Sequence, residues 1–475
     1  MGYAQMPSNV SLNDNLKRGI AVVFIANAIN LCISLINGFV LPKYLSVESY
    51  ADIKTYHLYA NYIGVLALGY SDGLYLLYGG RKITDVGSDG FNVCRSNLVV
   101  LQTIMTVVGV VFGLITSNYI LLVTATSILP VNLVSAYKNI YQATGEFKSY
   151  SRILNYTSIL VFIGSMILLF GFRTDNSLLY IGWNVIVTFV IWILVERKMM
   201  VAYKQKIRWS LDIQNLVDNI KSGIVLMLGN FSSILMTSVD RWFVKALLTV
   251  QDFAYYSFVV SVENLIVIFI TPVVTTMYNY ICVTTDMKAI QRIKRMCLVF
   301  SLFLISSAFP AKFILEVYLQ KYLASKYVLF ILFSTEVFYM LIKGIYVNIY
   351  KARKHQETYL KQLIGVIIIG VILNAAFYYF TRCKEGIAFA TLISVAIWYI
   401  ICCVSVPEIK PDWKEILLVV IAIPLFILSG FYLEAIVGFV VYVGGVLILS
   451  MFLMRDSVKA VWNMVFGMIR KKLRR

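Results

Sequence analysis

The sequence predicts an all-α polytopic membrane protein of about fourteen transmembrane helices. Two parallel-related six-helix lobes are expected around a central cavity, with two extra helices at the C-terminus. Three observations predict this. Hydrophobic residues fill 60% of the 475 positions and charged ones only 14%, more apolar residue than a soluble protein can cover with polar surface. Apolar runs of about 20 residues recur along the whole chain, the length that crosses a hydrocarbon core, and in lipid a helix satisfies its own backbone groups. A pattern of polar residues also returns 203 positions after its first appearance.

The spans follow in order. The first, 18–40, comes after a polar start, 1–16, which lacks the apolar core and small-residue end of a cleavable signal; it is expected to stay as an anchor. Spans two to six, 55–79, 95–116, 119–143, 150–171 and 178–200, complete an N-terminal lobe over 1–205. The linker 206–220 includes Ser210–Ile220, where Ile213, Leu216, Val217 and Ile220 share a helical face behind a cap at Ser210. Spans seven to twelve, 221–247, 253–281, 296–315, 326–350, 359–380 and 386–405, form a C-terminal lobe over 221–405. A kink is expected at Pro272 in span eight. Spans thirteen and fourteen, 414–433 and 435–454, and a tail complete 406–475. In that tail Val458, Val461, Trp462, Val465, Met468 and Ile469 share a face ahead of the basic end RKKLRR. Two readings fit both amphipathic segments: helices along the inner membrane surface, or a linker and a tail packed on the bundle.

Orientation comes from the basic residues. With the N-terminus inside, 32 of the 42 Lys and Arg fall in inner segments, which puts both termini in the cytoplasm. The net charge of +18 is then explained by topology and by attraction to anionic lipid heads, with no nucleic acid as partner. Seven cysteines (Cys32, Cys94, Cys282, Cys297, Cys383, Cys402, Cys403) are scattered, mostly within apolar spans, and suggest neither a disulfide framework nor a metal site. His57 and His355 have no metal-ligand spacing. No cofactor is expected.

The repeat is ungapped. Leu45–Ala51, LSVESYA, matches Leu248–Ala254, LTVQDFA, in identity or chemistry at every position. Carried backwards, the same offset pairs Asn27, Asn30, Ser34 and Asn37 of span one with Asn230, Ser233, Thr237 and Asp240 of span seven. Carried forward, it pairs Asn61 with Asn264. Steps of three, four and three put each polar set along one helical face. Such a face must meet another polar helix or water, not lipid. Two matched faces point to a central cavity between the halves, the place where transporters built of parallel repeats bind substrate; the bland alternative is interhelical hydrogen bonding as glue.

Four acidic residues are singled out within spans: Asp72, Asp240, Glu263 and Glu336. Each costs roughly 2.5–3.5 kcal/mol at a helix centre, so polar surroundings are expected. Asp72, in LGYSDGLYLLYGG (68–80), is paired on depth with Lys138 of span four. Arg241 either reaches into the cavity as an anion binder, its planar fork suiting phosphate oxygens, or snorkels to the outer interface. Glu263, near mid-membrane, leads the candidates for ion coupling, with Asp72 and Asp240 behind it.

Several stretches carry a family likeness: GFVLPKYLSVESYADIKTYHLYANYIGVLALGYSDGLYLLYGG (38–80), YQATGEFKSYS (141–151), SVDRWFVKALLTVQDFAYYSF (238–258) and YKARKHQETYLKQ (350–362). Through them the chain resembles the bacterial polysaccharide flippases, which carry O-antigen and capsule repeat units, within the multidrug/oligosaccharidyl-lipid/polysaccharide exporter superfamily. The likeness runs from span one to about span twelve and rests on the pattern and order of spans, not on a catalytic signature. It implies twelve core helices in two lobes, a cavity lined by spans one, two, seven and eight, and alternating access. It also implies a cargo of oligosaccharide on an undecaprenyl pyrophosphate carrier, a location in the bacterial cytoplasmic membrane, and work beside a polysaccharide polymerase and a chain-length regulator. The chain departs from the expected cationic cavity: its deep candidates are acidic or neutral, and Lys43, Lys138, Arg241 and Lys245 lie toward the span ends.

The rival within the same superfamily is a cation-coupled exporter of drugs or metabolites, which the carboxylates would suit. An enzyme acting on lipid-linked sugars is disfavoured, because every outer loop is short and none holds a constellation for general acid–base work.

Overall fold

The structure, a computed structural model, describes residues 9–81, 88–202, 208–284, 286–353 and 355–462, without the side chains of 9–25, 88, 89, 200–202, 268, 269, 272, 275, 276, 278, 279, 283 and 356. The tail residues Val465, Met468 and Ile469, the end RKKLRR and the side chain of Pro272 thus lie outside the described residues. Among those described there are helices and no strands. The chain divides into two compact units, Met1–Ile234 and Leu235–Arg475. The division falls inside expected span seven, beyond the linker 206–220.

In the first unit, α1 (Asn9–Tyr44) is followed by α2 (Val47–Ala60), a 3-10 turn at Ile63–Ala67 and α3 (Tyr70–Tyr78). Expected span two is therefore broken twice: at Asn61–Tyr62, and at Leu68–Gly69, where both residues take positive φ. Next come α4 (Ser88–Ile115), α5 (Tyr119–Thr126), α6 (Ile128–Ala143), α7 (Phe147–Met166) closing on a π-turn at Ile167–Gly171, α8 (Ser177–Ala202) and α9 (Ile213–Met236). The core joins Tyr70, Leu74 and Tyr78 of α3 to Leu98 of α4, Tyr137 of α6 and Ile191 of α8.

The second unit holds α10 (Val239–Leu247), α11 (Val250–Val283), α12 (Met287–Leu304), α13 (Ala308–Val317), α14 (Lys326–Leu341), a π-turn at Ile342–Tyr346, α15 (Val347–Ala352), α16 (Gln356–Thr381), α17 (Lys384–Ser405), α18 (Trp413–Tyr432) and α19 (Ala435–Leu453). Its centre is α14, buried at every position from Val328 to Leu341. Other helices therefore wrap it on every side, and its Ser334, Thr335 and Glu336 are buried with the apolar residues.

Among the described residues, ten helices are long and apolar enough to cross a membrane, or eleven if α5 and α6, bent by 42°, make one span. The expected fourteen exceeds that count; the difference lies in α1, the broken α2–α3 run and α11.

The repeat has a local cause: both windows are helix starts. Ser46 Oγ accepts from the Ser49 backbone N–H at 3.1 Å to cap α2, and Thr249 Oγ1 accepts from the Asp252 N–H at 3.1 Å to cap α11. These are matched positions and a matched N-cap bond. Beyond the caps the copies part. Asn61 sits at the C-cap of α2, whereas Asn264 lies within the continuous helix α11.

The expected separate helix at Ser210–Ile220 is the start of α9 instead. The Asp212 carboxylate, not Ser210, caps it, accepting from the Asn215 N–H at 3.0 Å. Just before it, the backbone N–H groups of Arg208, Ser210 and Asp212 donate to Asn92, Ser96 and Asn97 of α4. A polar edge on α4 thus holds the linker strand, and Leu216 and Ile220 join the first unit's core. Leu216, Val217 and Ile220 are half-buried, whereas Ile213 on the same face is 76% exposed, and Trp209 and Leu211 are mostly exposed too.

Two further acidic residues lie in spans. Glu196 of α8 is buried in an ion pair with Arg95 of α4. Glu415 of α18, 1% exposed, meets fully buried Lys294 of α12 at 2.8 Å. Eighteen residues after Lys294, buried Lys312 of α13 donates to the carbonyls of Gly430, at 2.9 Å, and Leu433 beyond the other end of α18. The two lysines pin α18 at both ends, so α12–α13 and α18 run in the same direction. Between them α14–α15, α16 and α17 supply the odd number of crossings that this requires. Rings of Phe309, Phe330, Phe426 and Tyr442 fill the space between α13, α14, α18 and α19. Replacing Lys312 by Met is expected to lower the thermal midpoint, since it leaves two carbonyls without their donor at about 1–3 kcal/mol each; differential scanning fluorimetry measures this, and an unchanged midpoint would rule the pin out.

Candidate functional site

In the first unit the site is built around one close helix crossing. Gly69, with φ +83°, opens α3; a Cβ there would stand 2.7 Å from the backbone nitrogen of Ile224 on α9. A Cβ on Gly73 would collide with the Asn219 carbonyl, and one on Gly223 with the Gly69 carbonyl and the Gly73 nitrogen. Two glycines four apart on α3 and one on α9 therefore let the backbones touch, a packing mode suited to membrane helices. Asp72 lies between the two glycines. Seven residues past Gly223, about two turns along α9, Asn230 Nδ2 donates to Asp72 Oδ1 at 3.3 Å.

This corrects the expected Asp72–Lys138 pair. Among the described residues no ion pair joins them. The neighbour of Lys138, Asn139, takes the position on α6 facing α3 and donates to the Ser71 carbonyl at 3.2 Å. Adjacent helical residues do not share a face, and the glycine crossing brings Asn230 to the carboxylate first.

On α1, Asn27 and Ser34 are exposed, and Asn30 and Asn37 are half-buried. The Oδ1 atoms of Asn30 and Asn37 are buried without a hydrogen-bond partner among the described residues. The first polar stripe thus presents acceptors that its own unit does not satisfy. Asn61 is exposed; no hydrogen bond joins it or the α1 stripe to Asp72 among the described residues.

The second stripe does not stay on one helix. The chain breaks at Thr237–Ser238, between α9 and α10. Hydroxyl side chains compete with the backbone for helical hydrogen bonds, and the Asp240 carboxylate takes a first-turn donor of α10, the Arg241 N–H, at 2.7 Å. Asn230, Ser233 and Thr237 are exposed, whereas Asp240 is buried. Its other oxygen accepts from the Tyr256 hydroxyl of α11 at 2.7 Å. Asp240 also lines a cavity of about 20 Å³ with Asn374, Thr391 and Ser394. Asn374 Oδ1 is buried there without a partner. The rest of the lining is Met236, Val239, Val366, Ile367 and Gly370, so four polar side chains meet in an otherwise apolar pocket.

The Arg241 guanidinium folds back along its own helix, Nη2 donating to the Thr237 carbonyl at 3.4 Å. Its Nε is buried and unpartnered. Glu263 of α11 accepts from Thr335 Oγ1 of α14 at 3.3 Å. Its carboxyl also lies within hydrogen-bonding contact of Glu336. One turn further along α14, Tyr339 lies under Lys343 Nζ at 4.3 Å, where α14 passes into its π-turn; such turns are frequent at functional sites. Asn264, next to Glu263, is exposed.

The structure thus brings Asp72 to Asn230, Asp240 to Tyr256, and Glu263 to Glu336. Tyr256, Thr335, Lys343, Asn374, Thr391 and Ser394 join these groups without having been singled out. Their signal was present: each is a polar side chain in an apolar span, a costly placement that marks an interior or functional position. Among the described residues, no group of three or more His, Cys, Asp or Glu could hold a metal ion.

No protein-family model and no curated protein matches the chain. Solved structures do. A structure described as lipid II flippase MurJ, inward closed conformation, matches with TM-score 0.69 at 15% identity, over 92% of this chain and 100% of that one. An inward-facing multidrug resistance MATE family transporter of the MOP superfamily matches with TM-score 0.64 at 11% identity, over 81% of this chain and 97% of that one. An outward-facing form of such a transporter matches with TM-score 0.50 at 12% identity, over 83% of this chain and 96% of that one. At these identities the likeness establishes architecture: the chain has the all-helical membrane fold that these flippase and transporter structures share.

Proposed function

We propose that this protein is a flippase. It moves undecaprenyl-pyrophosphate-linked oligosaccharide repeat units, of the O-antigen or capsule kind, from the inner to the outer leaflet of the bacterial cytoplasmic membrane by alternating access. It is a transporter, not an enzyme; both termini lie in the cytoplasm, and a polysaccharide polymerase and a chain-length regulator are its functional neighbours. The carrying observation is the extent of the fold match. The lipid II flippase is matched along its whole length by 92% of this chain, whereas the inward-facing multidrug transporter leaves about a fifth of this chain uncovered. The resemblance of 38–80 and 238–258 to polysaccharide flippases supports the same reading. Unsatisfied acceptors on Asn30 and Asn37, and the exposed Asn27, Ser34, Asn61, Asn230, Ser233, Thr237 and Asn264, suit sugar hydroxyls.

Ion coupling is assigned to Asp240 and the Glu263–Glu336 pair. Binding of a cation or proton there biases the transport cycle only insofar as its affinity differs between the two states. The buried carboxylates also favour a second reading, a cation-coupled exporter of drugs or metabolites.

One experiment separates the two. The purified protein is placed in liposomes with a fluorescent short-chain lipid-pyrophosphate oligosaccharide, with and without a proton gradient. Wild type is expected to translocate the lipid, and Asp72→Asn, Asp240→Asn and Glu263→Gln to slow it about tenfold or more, the equivalent of at least about 1.4 kcal/mol, while still folding. Accumulation of a cationic dye against the gradient, with no movement of the lipid, replaces the flippase by the exporter.

A further inference from the structure

Helices α17 and α18 both pack on α14 but splay apart from one another, leaving a groove in the second unit. Its floor is Leu298 of α12 and Phe338 of α14; its walls include Ile400 and Val404 of α17 and Ile416 and Val420 of α18. The floor is buried, while those four wall residues are each more than half exposed. The groove therefore opens toward the surroundings of the bundle, which for a membrane protein is lipid. Its volume is about 490 Å³, in the range of sites that take one small ligand.

One end of the groove is charged. Lys410 and Glu415 line it there. Glu415 is already neutralised, by Lys294 at 2.8 Å and Arg295 at 3.0 Å, and Asp412 by Arg295 at 2.8 Å. The Lys410 ammonium is exposed and makes no ion pair among the described residues. Lys414 follows four residues later, its Nζ 5.7 Å from the ring of Trp413, which is 65% exposed. Four cations here face two carboxylates. An exposed Trp at the end of a span, next to lysines, marks the headgroup level of a bilayer, and the Lys/Arg distribution assigns this end to the cytoplasmic side.

From this placement we infer that the α17–α18 groove is a binding site for one anionic phospholipid of the inner leaflet. One acyl chain fills the groove, and the phosphate sits on Lys410. The chain gains by leaving bulk lipid for a shaped apolar cleft, and the unpaired ammonium at its mouth selects an anionic head over a zwitterionic one. This site is distinct from the residues assigned to cargo and ion, so it does not depend on the flippase reading.

The test uses the full chain. A phosphatidylglycerol bearing a photoactivatable group near the end of one acyl chain is incorporated in vesicles with the protein, and labelled peptides are mapped. Native mass spectrometry then counts retained lipid with phosphatidylglycerol, phosphatidylcholine and undecaprenyl phosphate. Labelling is expected on 396–404 and 416–420, with one phosphatidylglycerol retained. Ala396→Trp, which fills the groove, is expected to abolish that label and that lipid. Lys410→Glu is expected to lower the preference for phosphatidylglycerol over phosphatidylcholine about fivefold or more, in line with about 1 kcal/mol per lysine near an anionic surface. Labels spread evenly over the lipid-facing helices of wild type would overturn the site without recourse to any variant. Displacement of phosphatidylglycerol by undecaprenyl phosphate would overturn its occupant.

Discussion

Glu415→Ala is expected to destabilise the purified protein by about 3–5 kcal/mol, the cost of leaving a buried charge without its partner. The stranded group is Lys294, fully buried on α12. It keeps the Ile409 carbonyl as an acceptor at 2.8 Å, which satisfies one proton donor but does not neutralise the charge. Arg295 is far less affected: it is 38% exposed at the side chain and retains Asp412 at 2.8 Å. The double variant Lys294→Met/Glu415→Leu should recover most of the loss, because apolar replacement of a buried pair is often neutral, leaving mainly the Ile409 carbonyl unpaired at about 1–3 kcal/mol. Thermal unfolding of the four proteins, wild type, both singles and the double, measures the coupling. Additive losses in the double would show that the pair does not hold α18 to α12.

Gly223→Val is expected to unseat α3 from α9. The new side chain would meet the Gly69 carbonyl and the Gly73 nitrogen, both backbone atoms that no rotamer change can move aside. Overpacking of this kind costs about 1–3 kcal/mol and more where the backbone must shift. Gly73→Val meets the same crossing from the other side, at the Asn219 carbonyl, so the two variants should be damaged alike. The Asp72–Asn230 hydrogen bond depends on this approach, and transport should fall with stability in both. Melting curves and the liposome assay together give the result; a Gly223→Val protein that melts and transports as wild type would mean that the crossing opens without cost.

Much of the molecule was legible before its structure. The apolar runs placed nearly every helix, because length and hydropathy are properties of a segment by itself. The offset repeat located Ser46 and Thr249 at matched starts, and both turned out to cap their helices through the same bond, since an N-cap is decided within four residues. LGYSDGLYLLYGG announced a special place, because the carboxylate of Asp72 in an apolar run is costly wherever it faces lipid.

Partner choice was another matter. Depth alone paired Asp72 with Lys138, but the approach of α9 gave the carboxylate to Asn230. Helical periodicity put Asp240 on a stripe with Asn230, but the break at Thr237–Ser238 turned it to Tyr256 and Asn374. Lys294 and Lys312 bear no distinguishing pattern in the sequence, yet they pin α18 from both ends.

By itself the sequence determined that this chain is a bundle of membrane helices, roughly where each begins, and which positions carry polar groups that lipid would reject. Tertiary structure alone decided which of those groups meet, that α9 and α3 touch through bare backbone, and that α17 and α18 part to leave a groove. The physical reason is range. Burial cost and capping act on a residue and its near neighbours along the chain, while a hydrogen bond or ion pair between helices exists only at about 3 Å, a distance set by the packing of whole helices.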